Sequence, residues 1–178
     1  MGAGKTSVGR CLAQRLNWAF EDLDDRVVAR EGRSIADIFR ESGEPAFRRA
    51  ESSALRQVLK ESAAGAAKVI ALGGGAFAQK ENASALKKSG LPGIFLDADV
   101  KELWQRCSLQ AASSGTERPL LKTMEQFQQL YESRRKAYLR ASLRIDTGGR
   151  AVTEIAEEII LSFGLSKLAI RNQEGEVE

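Results

Sequence analysis

The residues Gly2-Ala3-Gly4-Lys5-Thr6-Ser7 have the spacing of the closing half of a phosphate-binding loop. A loop of the form G-x-x-x-x-G-K-[ST] aims successive backbone N–H groups, a lysine ammonium and a helix N-terminus at one anion. In this chain Gly4-Lys5-Thr6 fills the last three positions. Lys5 would then reach the β- and γ-phosphates of a nucleotide, and the Thr6 hydroxyl would ligate Mg²⁺. A glycine-rich turn that merely caps a helix is the competing reading. The pattern's leading glycine, and the strand ahead of it, do not occur within the 178 residues, which start at Met1.

Asp22-Leu23-Asp24 offers two carboxylates two residues apart. At the end of an extended segment, alternation puts both on one side and Leu23 on the other. Beside a phosphate loop such a pair can hold hydrated Mg²⁺ and accept a proton from a substrate hydroxyl. As plain capping residues the two would only start the next helix. Further on, Phe47, Ala50, Ala54, Leu55 and Val58 form an apolar helical stripe that takes in Glu51, with Arg48 three residues before it. An ion pair at the edge of a buried face is costly unless it is satisfied or used, so Arg48 and Glu51 are either a structural salt bridge or part of a site.

Arg134 shares the stripe of Met124, Phe127, Leu130, Tyr131 and Tyr138, whereas Arg135 is turned about 100° away and is expected in solvent. An inward arginine either grips a carboxylate or phosphate with its planar fork or lies along the apolar face. Arg118, biased toward an extended backbone by Pro119 in a Ser/Gly-rich stretch, is a candidate to close over a triphosphate.

Positioning these groups takes alternating helices and strands. A helix is expected over Lys5–Leu16, with Val8, Leu12 and Leu16 on one stripe, then a short strand over Trp18–Asp22. Helices follow over Asp25–Arg30, Ser34–Glu41 and Glu44–Ser62; Gly32 and Gly43 end the first two, and Ser34 is a natural N-cap. Val69-Ile70-Ala71-Leu72 reads as a buried parallel strand that stops at Gly73-Gly74-Gly75. The remaining elements are helices over Lys80–Lys88, Val100–Leu109, Met124–Tyr138 and Val152–Phe163 and strands over Gly93–Leu96 and Leu143–Asp146. Strands separated by helices imply βαβ units and a parallel sheet covered on both faces. The polar, aperiodic stretch 110–123 is the one long irregular segment, of the kind that serves as a lid.

Composition narrows the chemistry. A length of 178 residues with 43% hydrophobic and 29% charged residues fits one globular domain with a proper core. No apolar run reaches a membrane span and no basic-then-apolar leader is visible. Cys11 and Cys107 are far apart and fit no metal spacing, which suits a reducing compartment. The basic run Arg134, Arg135, Lys136, Arg140 and Arg144 reads as a solvated helix face, since net charge is only +3 and no nucleic-acid reader motif accompanies it. With 0 histidines, Ser-His-Asp and Cys-His nucleophiles and His-ligated zinc are excluded. Carboxylates, Lys, Arg, backbone dipoles and a bound cation remain, and phosphoryl transfer needs little else.

In order and approximate spacing, several motifs together resemble the shikimate kinase family. They are Gly2-Ala3-Gly4-Lys5-Thr6, Asp22-Leu23-Asp24, Gly32-Arg33-Ser34-Ile35-Ala36-Asp37-Ile38-Phe39, Phe47-Arg48-Arg49-Ala50-Glu51, Gly73-Gly74-Gly75, Arg118-Pro119-Leu120-Leu121, and Arg134 with Tyr138. The resemblance implies a P-loop, nucleoside-monophosphate-kinase-like α/β fold of three layers around a parallel sheet, here without its central first strand. One kinase domain over residues 1–170 is expected, with a lid at about 110–123 and a disordered acidic tail at 171–178.

The activity implied is transfer of the ATP γ-phosphoryl group to the 3-hydroxyl of shikimate, with Mg²⁺, in chorismate biosynthesis. ATP is assigned to Gly2, Ala3, Gly4, Lys5, Thr6, Ser7, Arg118 and Arg150, with Arg106 also near the adenine, and the metal to Thr6 and Asp22. Shikimate is assigned to Asp24, Arg48, Glu51, Gly74, Gly75 and Arg134. Lys5, Asp24 and Arg118 are the implied catalytic residues, Asp24 as base. A cytoplasmic monomer without nucleic-acid or membrane partners is expected. Two alternatives stay open: an inactive kinase-like binding module, favoured by the incomplete loop, and a related small-metabolite kinase such as gluconate kinase. The missing strand leads to a further expectation, that the chain is a fragment with a misplaced start, marginally stable and weakly active by itself.

Overall fold

The structure is a computed structural model and describes residues 2–65, 67–114 and 123–166. Helix α1 (Lys5–Leu16) buries Val8, Leu12 and Leu16, the expected stripe. It starts at Gly4, whose φ of 77° a side chain would resist, and ends at Asn17, also left-handed, whose N–H bonds back to Ala13 and Gln14. Strand β1 (Ala19–Asp22) runs directly into α2 (Leu23–Glu31), which Asp22 caps and Gly32 closes.

Ser34 caps α3 (Ile35–Ala63) by accepting the Asp37 N–H. At Gly43, with φ 75° and ψ 170°, α3 breaks in two, at the position where the sequence pattern separates two helices. The chain continues through β2 (Lys68–Ala71), α4 (Lys80–Ser89), β3 (Ile94–Asp97), α5 (Val100–Ser114), α6 (Met124–Tyr138), β4 (Leu143–Asp146) and α7 (Val152–Ser162).

Strands β1 and β2 pair in parallel, Ala19 against Lys68 through Asp22 against Ala71. Strands β3 and β4 do the same, Ile94 against Leu143 through Asp97 against Asp146. Among the described residues the two pairs are separate sheets; nothing pairs β2 to β3.

Two cores fill the molecule. One joins α1 to β3, β4 and the helices α5, α6 and α7 through Leu12, Leu16, Phe95, Leu96, Phe127, Ile145 and Ile159. The other gathers Leu23, Val27, Ile38, Phe47, Leu55 and Val58 from α2 and α3. β2 serves both, because alternate residues face opposite sides: Val69 packs on the first core and Ile70 on the second.

Most element boundaries lie a residue or two from the expected ones, and the end of α5 lies further off. α5 continues through residues 110–114, which the sequence pattern assigns to the lid. Ala111 and Ala112 are strong helix formers and carry the preceding helix onward. The lid's middle, 115–122, lies outside the described residues, as does the tail at 171–178.

Candidate active site

The phosphate loop lies against α5. A Cβ on Gly2 would strike the Leu103 carbonyl and stand 3.0 Å from Cys107 Sγ, so only glycine lets the backbone approach this closely. Gly4 starts α1 without a side-chain cap, and backbone N–H groups in a helix's first turn are donors of the kind a phosphate accepts. Thr6 donates its hydroxyl to Asp22 Oδ2 at 3.0 Å, while Asp22 Oδ1 accepts the Asp24 N–H at 3.1 Å. Asp22 is therefore both the cap of α2 and the link to the loop. The two readings of this aspartate are not exclusive.

Asp24 reaches the site by a route that strand alternation does not suggest. The strand ends at Asp22 and Leu23 already begins α2, so helical geometry sets the Asp24 direction. Its carboxyl is pushed up from 3.8 to about 6, first by burial, then by the negative charges of Asp22 and Glu51; the Lys5 ammonium pulls the other way, and Asp25 adds a small push upward. Asp24 Oδ1 is buried with no hydrogen-bond partner.

Glu51 is fully buried, at 0% exposure. Its Oε2 accepts Arg48 NH1 at 2.9 Å and Gln79 Nε2 at 2.6 Å, and its Oε1 has no partner. Burial raises its pKa against the opposing pull of Arg48, Gln79 and Arg134. The two orphaned oxygens face one glycine: a Cβ on Gly73 would stand 2.8 Å from Asp24 Oδ1 and 2.9 Å from Glu51 Oε1. Unpaired buried carboxylate oxygens cost free energy until a donor arrives.

Arg48 is held from both sides on α3, by Glu51 and by Glu44, whose Oε1 accepts Nε at 3.1 Å and NH2 at 2.9 Å. Its guanidinium occupies the space a Gly75 side chain would need. Tyr138 donates its hydroxyl to the Gly74 carbonyl and interacts with Arg134, whose charge also reaches Glu51. Arg48, Glu51, Asp24, Arg134 and Gly73 to Gly75 thus converge from α2, α3, α6 and the loop after β2. Arg135, expected in solvent, is half-buried and bonds to the Tyr131 hydroxyl instead.

On the far side of the loop, Arg106 donates to Glu102 at 2.6 Å, Thr147 Oγ1 at 3.1 Å and the Thr147 carbonyl at 2.8 Å. Arg150 is fastened to the Asp146 carbonyl at 3.0 Å and to Glu158 at 2.6 Å. Arg118 lies outside the described residues. Gln79 and Glu44 are not among the expected site residues. Glu44, four residues before Arg48, carries a readable signal, whereas Gln79 meets Glu51 across 28 positions of sequence.

Thr6 and Asp22 present a hydroxyl and a carboxylate oxygen side by side, hard donors that suit Mg²⁺ keeping several of its waters. No group of three or more acidic or thiol side chains among the described residues would cage a metal alone, so a cation here would be shared with phosphates.

A phosphate loop at the N-terminus of α1, parallel strands, and the cluster of Arg48, Arg134, Asp24 and Glu51 at the glycines after β2 define a P-loop kinase of small molecules. The chain belongs to the shikimate kinase family, whose sequence profile matches residues 1–163. It is 37% identical to the shikimate kinase of Persephonella marina over 161 residues, covering 90% of this chain and 92% of that one. With the shikimate kinase of Geobacter metallireducens it shares 41% over 162 residues, 89% and 85% of the two chains. The solved structure of the Acinetobacter baumannii shikimate kinase in complex with shikimate superposes with a TM-score of 0.80 at 33% identity, covering 94% of this chain and 89% of that one. Members of this family use ATP as co-substrate and Mg²⁺ as cofactor.

Proposed function

We propose that this chain transfers the γ-phosphoryl group of ATP to the 3-hydroxyl of shikimate, acting as one kinase domain over residues 1–170. The observation that carries the reading is the pair of buried, unpartnered carboxylate oxygens of Asp24 and Glu51 facing the Gly73 backbone, flanked by Arg48 and Arg134. A polyol supplies hydroxyl donors to those oxygens, and its carboxylate supplies the counter-charge to two arginines.

In this assignment Gly2 to Ser7 and the first turn of α1 cradle the phosphates, and Lys5 holds the transferring group in line. Thr6 and Asp22 hold Mg²⁺, which neutralises phosphate charge when bound. Asp24 accepts the proton of the attacking hydroxyl: a pKa near 6 leaves it ionised at neutral pH yet basic enough to matter. Arg48, pinned by Glu44 and Glu51, and Arg134 grip the substrate carboxylate, and Gly74 and Gly75 let the ring approach backbone. Arg118 and Arg150 are assigned to ATP by resemblance to the family. Cys11 and Cys107 form no disulfide, which suits the cytoplasm, and a monomer suffices because every assigned residue lies in one chain. No helix among the described residues is long and apolar enough to cross a membrane.

The test is turnover of the purified chain with Mg²⁺·ATP, followed by ADP release and by phosphorus NMR of the product. Shikimate should be phosphorylated once, at the 3-position, and gluconate not at all. ATP binding without turnover of shikimate would mean an inert kinase-like module, and turnover of gluconate instead would mean a different small-metabolite kinase.

A further inference from the structure

Asp97 is the last residue of β3, only 2% exposed, and is used by neither the phosphate loop nor the carboxylate pair. Its carboxylate is nonetheless saturated. Oδ1 accepts the Tyr131 hydroxyl at 2.5 Å and the Ala98 N–H at 3.0 Å, and Oδ2 accepts Arg144 from β4, with both Nε and NH2 at 2.9 Å. The backbone carbonyl of the same residue takes the Thr147 N–H at 2.7 Å and the Thr147 hydroxyl at 3.0 Å. Burying a carboxylate is expensive, and α5 does not require it, because Asp99 caps that helix by accepting the Lys101 N–H at 2.8 Å.

The other bonds show what is being held. Tyr131 is on α6, three residues before Arg134, and Tyr138 is four after it, so all three share one face. Phe95 and Asp97 share one face of β3. Tyr138 stacks on Phe95 with ring centroids 5.2 Å apart, and Tyr131 bonds to Asp97. α6 is therefore fastened to β3 on both sides of Arg134. Against β3, one fastening is an aromatic contact, which tolerates sliding, while the Tyr138 hydroxyl is tied separately to the Gly74 carbonyl; the other is a short, directional, charge-assisted hydrogen bond to the strand itself.

We propose that Asp97 and Tyr131 are positioning residues that fix the rotation of α6 and so aim Arg134 at the substrate carboxylate. The proposal rests on Arg134 as a carboxylate ligand. Rotating α6 about its axis by a small angle would move a guanidinium at the end of a long side chain by several times the backbone displacement. The cost would fall on the acceptor substrate and leave the nucleotide end of the site alone.

Tyr131→Phe tests this, because it keeps the buried ring and deletes only the oxygen. It should raise KM for shikimate roughly 5–30-fold, the effect of removing the charge-assisted hydrogen bond to Asp97, together with the Arg135 contact on the same hydroxyl, partly transmitted to binding. KM for ATP and kcat should stay within about twofold. In an Arg134→Ala background the same change should have no further effect on KM for shikimate, since the group it aims is gone. Asp97→Asn, which keeps the shape, should repeat the selective loss. If Arg134→Ala raises KM for shikimate and Tyr131→Phe does not, the strap positions nothing and the inference fails. If both KM values and kcat deteriorate together in step with the melting temperature, the strap is only structural and the inference also fails. Should Arg134→Ala leave shikimate affinity intact, the carboxylate assignment itself falls and takes the strap's purpose with it.

Discussion

Replacing Asp24, the proposed base, should make this protein more stable. Asp24 is held up to about 6 from 3.8, chiefly by burial and by the charges of Asp22 and Glu51. At 1.36 kcal/mol per pH unit, that rise corresponds to ~3 kcal/mol in favour of the neutral form. The unfolded chain releases this proton near 3.8 and the folded chain near 6. Between those values the folded state holds more protons, so stability falls as pH rises through the window and the full ~3 kcal/mol is forfeited at pH 7.5.

Asp24→Asn removes the charge at nearly constant shape, and with it the repulsion between Asp24 and the buried Glu51. A gain of about 1–3 kcal/mol should follow at pH 7.5, or roughly 2–12 °C in melting temperature for a chain of this size. At pH 5, where wild-type Asp24 is mostly protonated when folded, roughly half of the gain should remain. Turnover with shikimate should drop by ~10²-fold or more through loss of the proton acceptor. The measurements are thermal melts of both proteins at the two pH values and a coupled assay of ADP release. A variant that melts at or below wild type at pH 7.5, or gains as much at pH 5 as at pH 7.5, would refute the reasoning.

Other outcomes follow from the same geometry. Lys5→Ala should keep its helical circular-dichroism spectrum and lose most turnover, because the loop offers no second ammonium; near-normal kcat would contradict the assignment. Arg134→Ala should weaken shikimate binding by calorimetry ~10–150-fold, the worth of one charge-assisted hydrogen bond, while Arg135→Ala changes it less than about threefold. Gly75→Ala pushes a methyl into the Arg48 guanidinium, which is pinned by two glutamates and cannot retreat freely. KM for shikimate should therefore rise about tenfold or more with KM for ATP unchanged, and equal effects on both substrates would argue against it.

Local signals in the sequence are legible where one residue type decides the backbone. Gly43 divides α3 because a positive φ is tolerable there, and Ser34 starts it through a hydroxyl three residues from its N–H partner. The stripe of Val8, Leu12 and Leu16 places α1 for the same kind of reason. Asp24 can be assigned to the site from sequence, but not its geometry: an Asp cap and a strand end look alike until Leu23 commits to helix. Arg135 departs from expectation because its rotation is counted from the apolar face alone, whereas the polar Tyr131 hydroxyl draws it in. Gln79 on Glu51 and Asp97 on Tyr131 join positions 28 and 34 apart, and no periodicity encodes such pairs.

The separation of β2 from β3 has a mechanical consequence. Within each strand pair, sliding breaks backbone hydrogen bonds; between the pairs, the load is carried by side chains, mainly α1 lying across β1, β2 and α7. Dispersion forces yield gradually, so relative motion of the two strand pairs should meet less resistance than sliding within either one. Asp24, Arg48 and Glu51 belong to one side of the seam between the pairs, and Asp97, Tyr131 and Arg134 to the other. A carboxylate seized by Arg48 and Arg134 together would act as a rivet across that seam, stiffening two strand pairs that share no ladder among the described residues.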